Sequence, residues 1–157
     1  MPAYETIVGD RRTPIGAVLI QGGRPVDLSS ATVTFSMYDK AGTAKVSAQS
    51  ATAHTTVAFT AATTDIITSN GHKAVNGDQV VLSSTGTLPA GLAASTRYFV
   101  IQAQPNTFQV STVPNGAPVD ITDTGSGTHS FYIVGSVQYS FAAADVDTAG
   151  EYEGYWN

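Results

Sequence analysis

The strongest constraint on this chain is how short its uninterrupted segments are. Runs rich in Thr, Val, Ser, Tyr and Phe are cut every few residues by Gly, Asn, Asp or Pro, from "ETIV" and "IGAVLI" to "GEYEGYWN". β-Branched and aromatic side chains suit a pleated surface, and the interrupting residues supply turn geometry, so the pattern predicts an all-β protein without a convincing helix. "ETIV", "IGAVLI", "ATVTFSMYD" and "AKVSAQ" are the expected early strands, with "QGGRPVD" and "DKAGT" as turns and Gln49–Thr56, "QSATAHTT", as a loop. In "ATVTFSMYD", Val33, Phe35 and Met37 share one face, because side chains alternate along a strand.

Composition narrows the function classes. The 157 residues, 42% of them hydrophobic, suffice for one ordinary domain or two very small ones with a real core. Seven Lys plus Arg against 12 Asp plus Glu give a net charge of −5, so no basic field draws nucleic acid or an anionic membrane. The absence of cysteine rules out disulfides, thiolate zinc sites and thiol catalysis. No apolar run reaches the roughly 20 residues of a membrane span, and "MPAYETIVGDRR" lacks the apolar stretch of a signal peptide.

A second block of strands opens near Val57: "DIITS", "DQVVLSS", "RYFVIQA", "NTFQVST", "PVDIT" and "THSFYIV". "VNGD" and "QPNT" mark tight reversals between them. "GSVQYSF" then resumes the larger, Tyr-rich strands. The blocks read as nested: residues 1–57 and 134–157 form a discontinuous outer domain, and residues 58–133 form an inserted small β module, as exposed loop tips permit.

The outer pieces "GDRRTPIGAVLI", "GRPVDLSSATVTFSMYDKAGTAKV" and "GSVQYSFAAADVDTAGEYEGYW" resemble the immunoglobulin-like N-terminal domain of bacteriophage baseplate upper proteins and related tail proteins. Within them, Asp147, Gly150 and Tyr152 are similar to the tyrosine corner of immunoglobulin-like sandwiches, whose Tyr hydroxyl bonds to upstream backbone. The inner stretches "TSNGHKAVNGDQVVLSSTGTLPAGLAASTRYFVIQAQPNTFQVST" and "APVDITDTGSGTH" resemble a small β module recurrent in phage tail, fibre and baseplate proteins. The resemblance implies an immunoglobulin-like β-sandwich interrupted by a small β-barrel or sandwich. It also implies a non-enzymatic virion structural protein of the tail or baseplate, assembled in the host cytoplasm. Its partners would be other virion proteins and copies of itself, with neither nucleic acid nor membrane. Head or collar decoration, and a host-surface glycan-binding module, are the alternatives.

No catalytic or cofactor residues are expected, because no Gly-x-Ser-x-Gly elbow or phosphate loop occurs. Asp145 and Asp147, or Asp120 and Asp123, are either calcium ligands or turn acceptors, and the turn reading is preferred. His54, His72 and His129 are too scattered for a metal triad, although His72 and His129 can meet across strands. Among Tyr98, Phe99, Phe108, Phe131 and Tyr132 most are core, and Tyr98 and Tyr132 are the candidates for a sugar-stacking platform. In the last strand Tyr152, Gly154 and Trp156 share an apolar face, with Glu151, Glu153 and Tyr155 opposite. The resembling family continues past this strand with a further hairpin. Glu151, Glu153, Tyr155, Trp156 and Asn157 are therefore expected to form an open intersubunit edge, unless the sequence is itself incomplete.

Overall fold

The computed structural model describes the backbone of Ala3–Thr6 and the whole of residues 14–157; Ile7 and Val8 of the expected first strand lie outside that range. The described chain is all-β. In order it forms β1 (Ala3–Thr6), β2 (Ile15–Val18), β3 (Ile20–Gln21), β4 (Arg24–Pro25), β5 (Thr34–Asp39), β6 (Ala44–Ser50) and β7 (Thr52–Ala53). Then come β8 (Val57–Ala61), β9 (Ile67–Thr68), β10 (Gln79–Ser84), β11 (Arg97–Ile101), β12 (Thr107–Ser111) and β13 (His129–Ile133). β14 (Ser136–Tyr139), a 3-10 turn at Ala143–Val146 and β15 (Gly150–Trp156) complete it. The chain divides into two compact units, one of residues 1–54 and 135–157, the other of residues 55–134.

In the first unit, β1, β15, β5 and β6 form one sheet in that order, β2, β14 and β7 a second, and β3 and β4 a separate hairpin. Alternation fills the core: Phe35, Met37, Val46, Tyr139 and Tyr152 are buried together, with Trp156 packed against them. The Phe35 ring stacks on Tyr139 with centroids 4.8 Å apart and lies 5.0 Å from Trp156. Leu28, Val33 and Val137 extend this core.

The open edge expected at the C-terminal strand is not there. β15 lies between two strands, with Ala3–Thr6 opposite Glu153–Gly150 on one side and Asp39–Phe35 opposite Tyr152–Trp156 on the other. Asn157 extends the second ladder, exchanging both backbone hydrogen bonds with Thr34 at 2.9 Å. Among the described residues the edges of this sheet are β1 and β6.

The second unit is a closed barrel in the order β10, β11, β12, β9, β8, β13. Its interior is filled by buried residues that include Ile67, Val80, Leu82, Val100, Phe108, Val110 and Phe131. "PVDIT", Pro118–Thr122, is not a strand. Its donors scatter instead of forming one ladder: Val119 N–H goes to Val110 O, Ile121 N–H to an Asp65 carboxylate oxygen and Thr122 N–H to Ala90 O. The segment instead sinks Ile121, 1% exposed, into the barrel core. The expected loop at 49–56 likewise holds the end of β6 and all of β7, because Thr52 and Ala53 pair with Gln138 and Val137.

That pairing explains how one chain builds both units. β7 and β14 are antiparallel neighbours where the chain leaves and rejoins the first unit, with His54 N–H donating to Ser136 O at 2.9 Å. β8 and β13 are antiparallel neighbours in the barrel, with Val57 opposite Phe131. Each unit therefore holds its two chain crossings about 5 Å apart, the spacing of adjacent strands. A loop joining them needs only a few residues. Replacing 55–134 by a short Gly/Ser linker between His54 and Gly135 should leave a folded first unit, and 55–134 alone should fold as a barrel. Dispersed amide spectra from both fragments are the expected result; an unfolded first unit would show that it depends on the barrel.

Candidate functional site

Most polar side chains singled out in the sequence hold backbone in place. Asp145 is buried and accepts two hydrogen bonds at 2.7 Å, from the Tyr139 hydroxyl and from Ala142 N–H. Burial, and then this bond to Asp145, push the Tyr139 hydroxyl far above the ordinary tyrosine range, so it stays a neutral donor. Asp147 is turned elsewhere, pairing with Lys45 and accepting from the Thr148 hydroxyl at 2.8 Å. The Lys45 contact holds its carboxyl below the usual range. Asp145 and Asp147 thus have separate partners, and among the described residues no group of three or more His, Cys, Asp or Glu is arranged to hold a metal.

The Tyr152 hydroxyl donates to Thr148 O at 3.3 Å, four residues upstream, while its ring is buried. Gly150 makes room for that ring. A Cβ there would sit 3.1 Å from a Tyr152 ring carbon, tighter than ordinary contact.

In the barrel, Asp123 accepts from Ala90 N–H at 2.8 Å and Gly125 N–H at 2.9 Å, which lowers its carboxyl pKa. His72 and His129 are buried with separate partners. His72 Nε2 lies 2.8 Å from Gln104 O, and His129 Nε2 lies 3.0 Å from Thr124 O. A carbonyl only accepts, so each ring donates from Nε2. The other nitrogen of His72 accepts from Ala74 N–H at 3.1 Å, and that of His129 lies 2.9 Å from the Ser84 hydroxyl oxygen. His54, in the first unit, has its Nε2 3.3 Å from Gly135 N.

The expected aromatic platform is only partly on the surface. Tyr98 is 3% exposed, and its hydroxyl oxygen accepts from Ala93 N–H at 2.9 Å, so it belongs to the barrel core. Alternation instead turns Phe99 and Tyr132 outward, both half-buried. They do not stand opposite one another on neighbouring strands: Phe99 faces Gln79 and Tyr132 faces Val81.

Two concavities stand out among the described residues. The one on the barrel, about 570 Å³, is lined by Gly71–Asn76 and Ala103–Asn106. Its polar groups are turned inward to the loops, with the Asn106 side-chain oxygen on Gly71 N–H, that of Asn76 on Ala103 N–H, and His72 on Gln104.

The other, about 490 Å³, lies on the outward face of the four-stranded sheet in the first unit, lined among others by Tyr38, Asp39, Lys40, Glu153, Tyr155 and Asn157. β5 and β15 place these groups. Glu153 is opposite Tyr38 and Tyr155 is opposite Ser36, so alternation sends all four to the same face. The Tyr38 and Tyr155 rings meet edge to face at 5.7 Å. The Tyr155 hydroxyl donates to Glu153 Oε2 at 2.8 Å, which raises the tyrosine pKa. Asp39 Oδ1 accepts from Ala41 and Thr43 N–H, and Lys40 pairs with Glu151. Glu153 Oε1 and Asp39 Oδ2 have no hydrogen-bond partner among the described residues. Half-exposed rings beside unengaged carboxylate oxygens suit contact with a cationic or hydroxyl-rich group. Tyr38 is the residue that sequence reasoning missed. The alternation placing Phe35 and Met37 inward also placed Tyr38 outward, but which strand would lie beside it was not legible.

Comparison with known protein families, with curated proteins and with solved structures finds no match for this chain.

Tyr152→Phe should lose about 1 kcal/mol of stability and Tyr152→Ala about 3 kcal/mol or more, read by denaturant unfolding of the full chain. Asp123 adds an acid-side prediction. Because its folded pKa is depressed, its stabilising contribution is present above the unfolded carboxylate pKa and is lost as pH falls through the folded value. Asp123→Asn should therefore flatten the stability-versus-pH curve of the barrel in that acid window, and an unchanged slope would count against the two backbone bonds.

Proposed function

We propose that this chain is a non-enzymatic structural protein of a bacteriophage tail or baseplate, working through protein–protein contacts in a symmetric assembly. One observation carries the reading: its two units differ in how they treat strand edges. The barrel closes on itself, which leaves its ladder without an edge. Among the described residues the first unit keeps open sheets, with β6 a seven-residue outer strand whose Ser47–Ser50 end is exposed. An open strand offers backbone donors and acceptors for pairing with a neighbouring chain. The same unit carries the aromatic and acidic cleft, so its contact chemistry is concentrated there.

In this reading the barrel is a self-contained module and the first unit is the joint. The partners are other virion proteins and further copies of this chain, with head or collar decoration the same reading at another place in the particle.

Mass spectrometry of purified particles should find the chain in stoichiometric amount, and gold labelling should locate it on the tail or baseplate. Its absence from purified particles would sink the reading. A Ser47→Lys, Gln49→Lys double variant, which puts charge on the outer strand, should fold normally yet enter particles at least several-fold less efficiently.

A further inference from the structure

The outward cleft on the four-stranded sheet has the chemistry of a guanidinium site. Its two half-exposed Tyr rings, packed edge to face at 5.7 Å, offer a ring face on which a flat cation can stack. Beside them Glu153 and Asp39 each commit one oxygen to the protein and leave the other without a partner among the described residues. The lysine lining the same cleft, Lys40, is already paired with Glu151, so the local charge stays negative. A planar fork that stacks on aromatic faces and donates to carboxylates fits this arrangement better than a compact ammonium does.

The chain itself presents a matching group. Of its seven basic residues, Arg11 and Arg12 lie outside the described range, and Lys40 and Lys45 are paired with Glu151 and Asp147. Lys73 and Arg97 belong to the barrel. Arg24 is the remaining cation among the described residues of the first unit, exposed on the hairpin of β3 and β4 opposite Gln21. That hairpin turns through Gly22 and Gly23, both at positive φ, with nothing within 4 Å of where their Cβ atoms would lie, so its tip is open to solvent. Ile20, on the hairpin's other face, is 64% exposed and is apolar surface that a contact would cover.

We propose that the Arg24 hairpin of one copy docks into the Tyr38–Tyr155 cleft of the next, its guanidinium on the exposed face of the tyrosine pair and against Glu153 and Asp39. Hairpin and cleft are different surfaces, so the contact is head-to-tail and builds a ring where the rotation closes. The proposal rests on the assembly reading and names one of its joints.

The chain has no cysteine, which permits a clean trap. Gln21→Cys, beside Arg24, and Asn157→Cys, in the cleft, leave the proposed pair intact. Mixing the two full-length variants under mild oxidation should give a disulfide heterodimer, in clear excess over a control mixture of Gln21→Cys with Ser83→Cys on the barrel. Adding Arg24→Glu to the first partner should lower the yield at least tenfold without changing its melting temperature. Adding Glu153→Arg to the second partner of that pair should restore it. Equal trapping with and without Arg24→Glu, or no excess over the barrel control, overturns the contact. Because the trap reads purified protein alone, its failure with the chain still present in particles removes this joint and leaves the assembly reading intact. Absence from particles removes the assembly reading whatever the trap shows.

Discussion

Phe35 is the point on which the first unit depends. It is fully buried, stacks on Tyr139, meets Phe141 edge to face and packs against Trp156. Those partners come from beyond the barrel in sequence, so this cluster joins the two separate stretches of the unit. Closing an unstructured loop of some 80 residues costs roughly 4 kcal/mol beyond a constant, by the logarithmic dependence on length. The barrel removes most of that penalty once it has formed, since β8 and β13 hold its two ends side by side. The β8–β9, β10–β11 and β11–β12 pairings of the barrel also span far fewer residues than the β5–β15 ladder.

Polar side chains in both units act mainly on backbone. Asp39, Asp78, Asn76, Asn106 and Asp123 each accept from main-chain N–H groups in turns, satisfying donors that no ladder reaches. Asp145 does the same deeper inside, and the neutral Tyr139 hydroxyl is its second donor. Groups that seemed eligible for chemistry or calcium are thereby engaged locally. The cleft at Tyr38 and Tyr155 differs because its carboxylates stand beside a pair of half-exposed aromatic rings.

The C-terminal strand shows how a correct local reading can yield a wrong environment. Tyr152 and Trp156 inward, Glu151 and Glu153 outward, follows from period-two alternation and is what the strand does. Whether its ladder was open depended on β1, more than 140 residues upstream, whose pairing with Gly150–Glu153 has no local signature. Tyr98 failed in a related way. Either Tyr98 or Phe99 had to face inward, and Tyr98 was drawn into the core with its hydroxyl held by Ala93 N–H, leaving the wholly apolar Phe99 outside.

By itself, then, the sequence determined the all-β character, most strand positions, the reversals at "QGGRPVD", "VNGD" and "QPNT", and which residues of each strand share a face. These are short-range properties, set by side-chain shape, φ preferences and alternation within a few residues. Tertiary structure alone decided which strands are neighbours. It closed six of them into a barrel, turned "PVDIT" into a buried plug, laid β1 along β15 and brought Tyr38 beside Tyr155. Strand partners are chosen by matching surfaces far apart in the chain, and a linear pattern specifies the face of a strand without specifying what will lie against its edge.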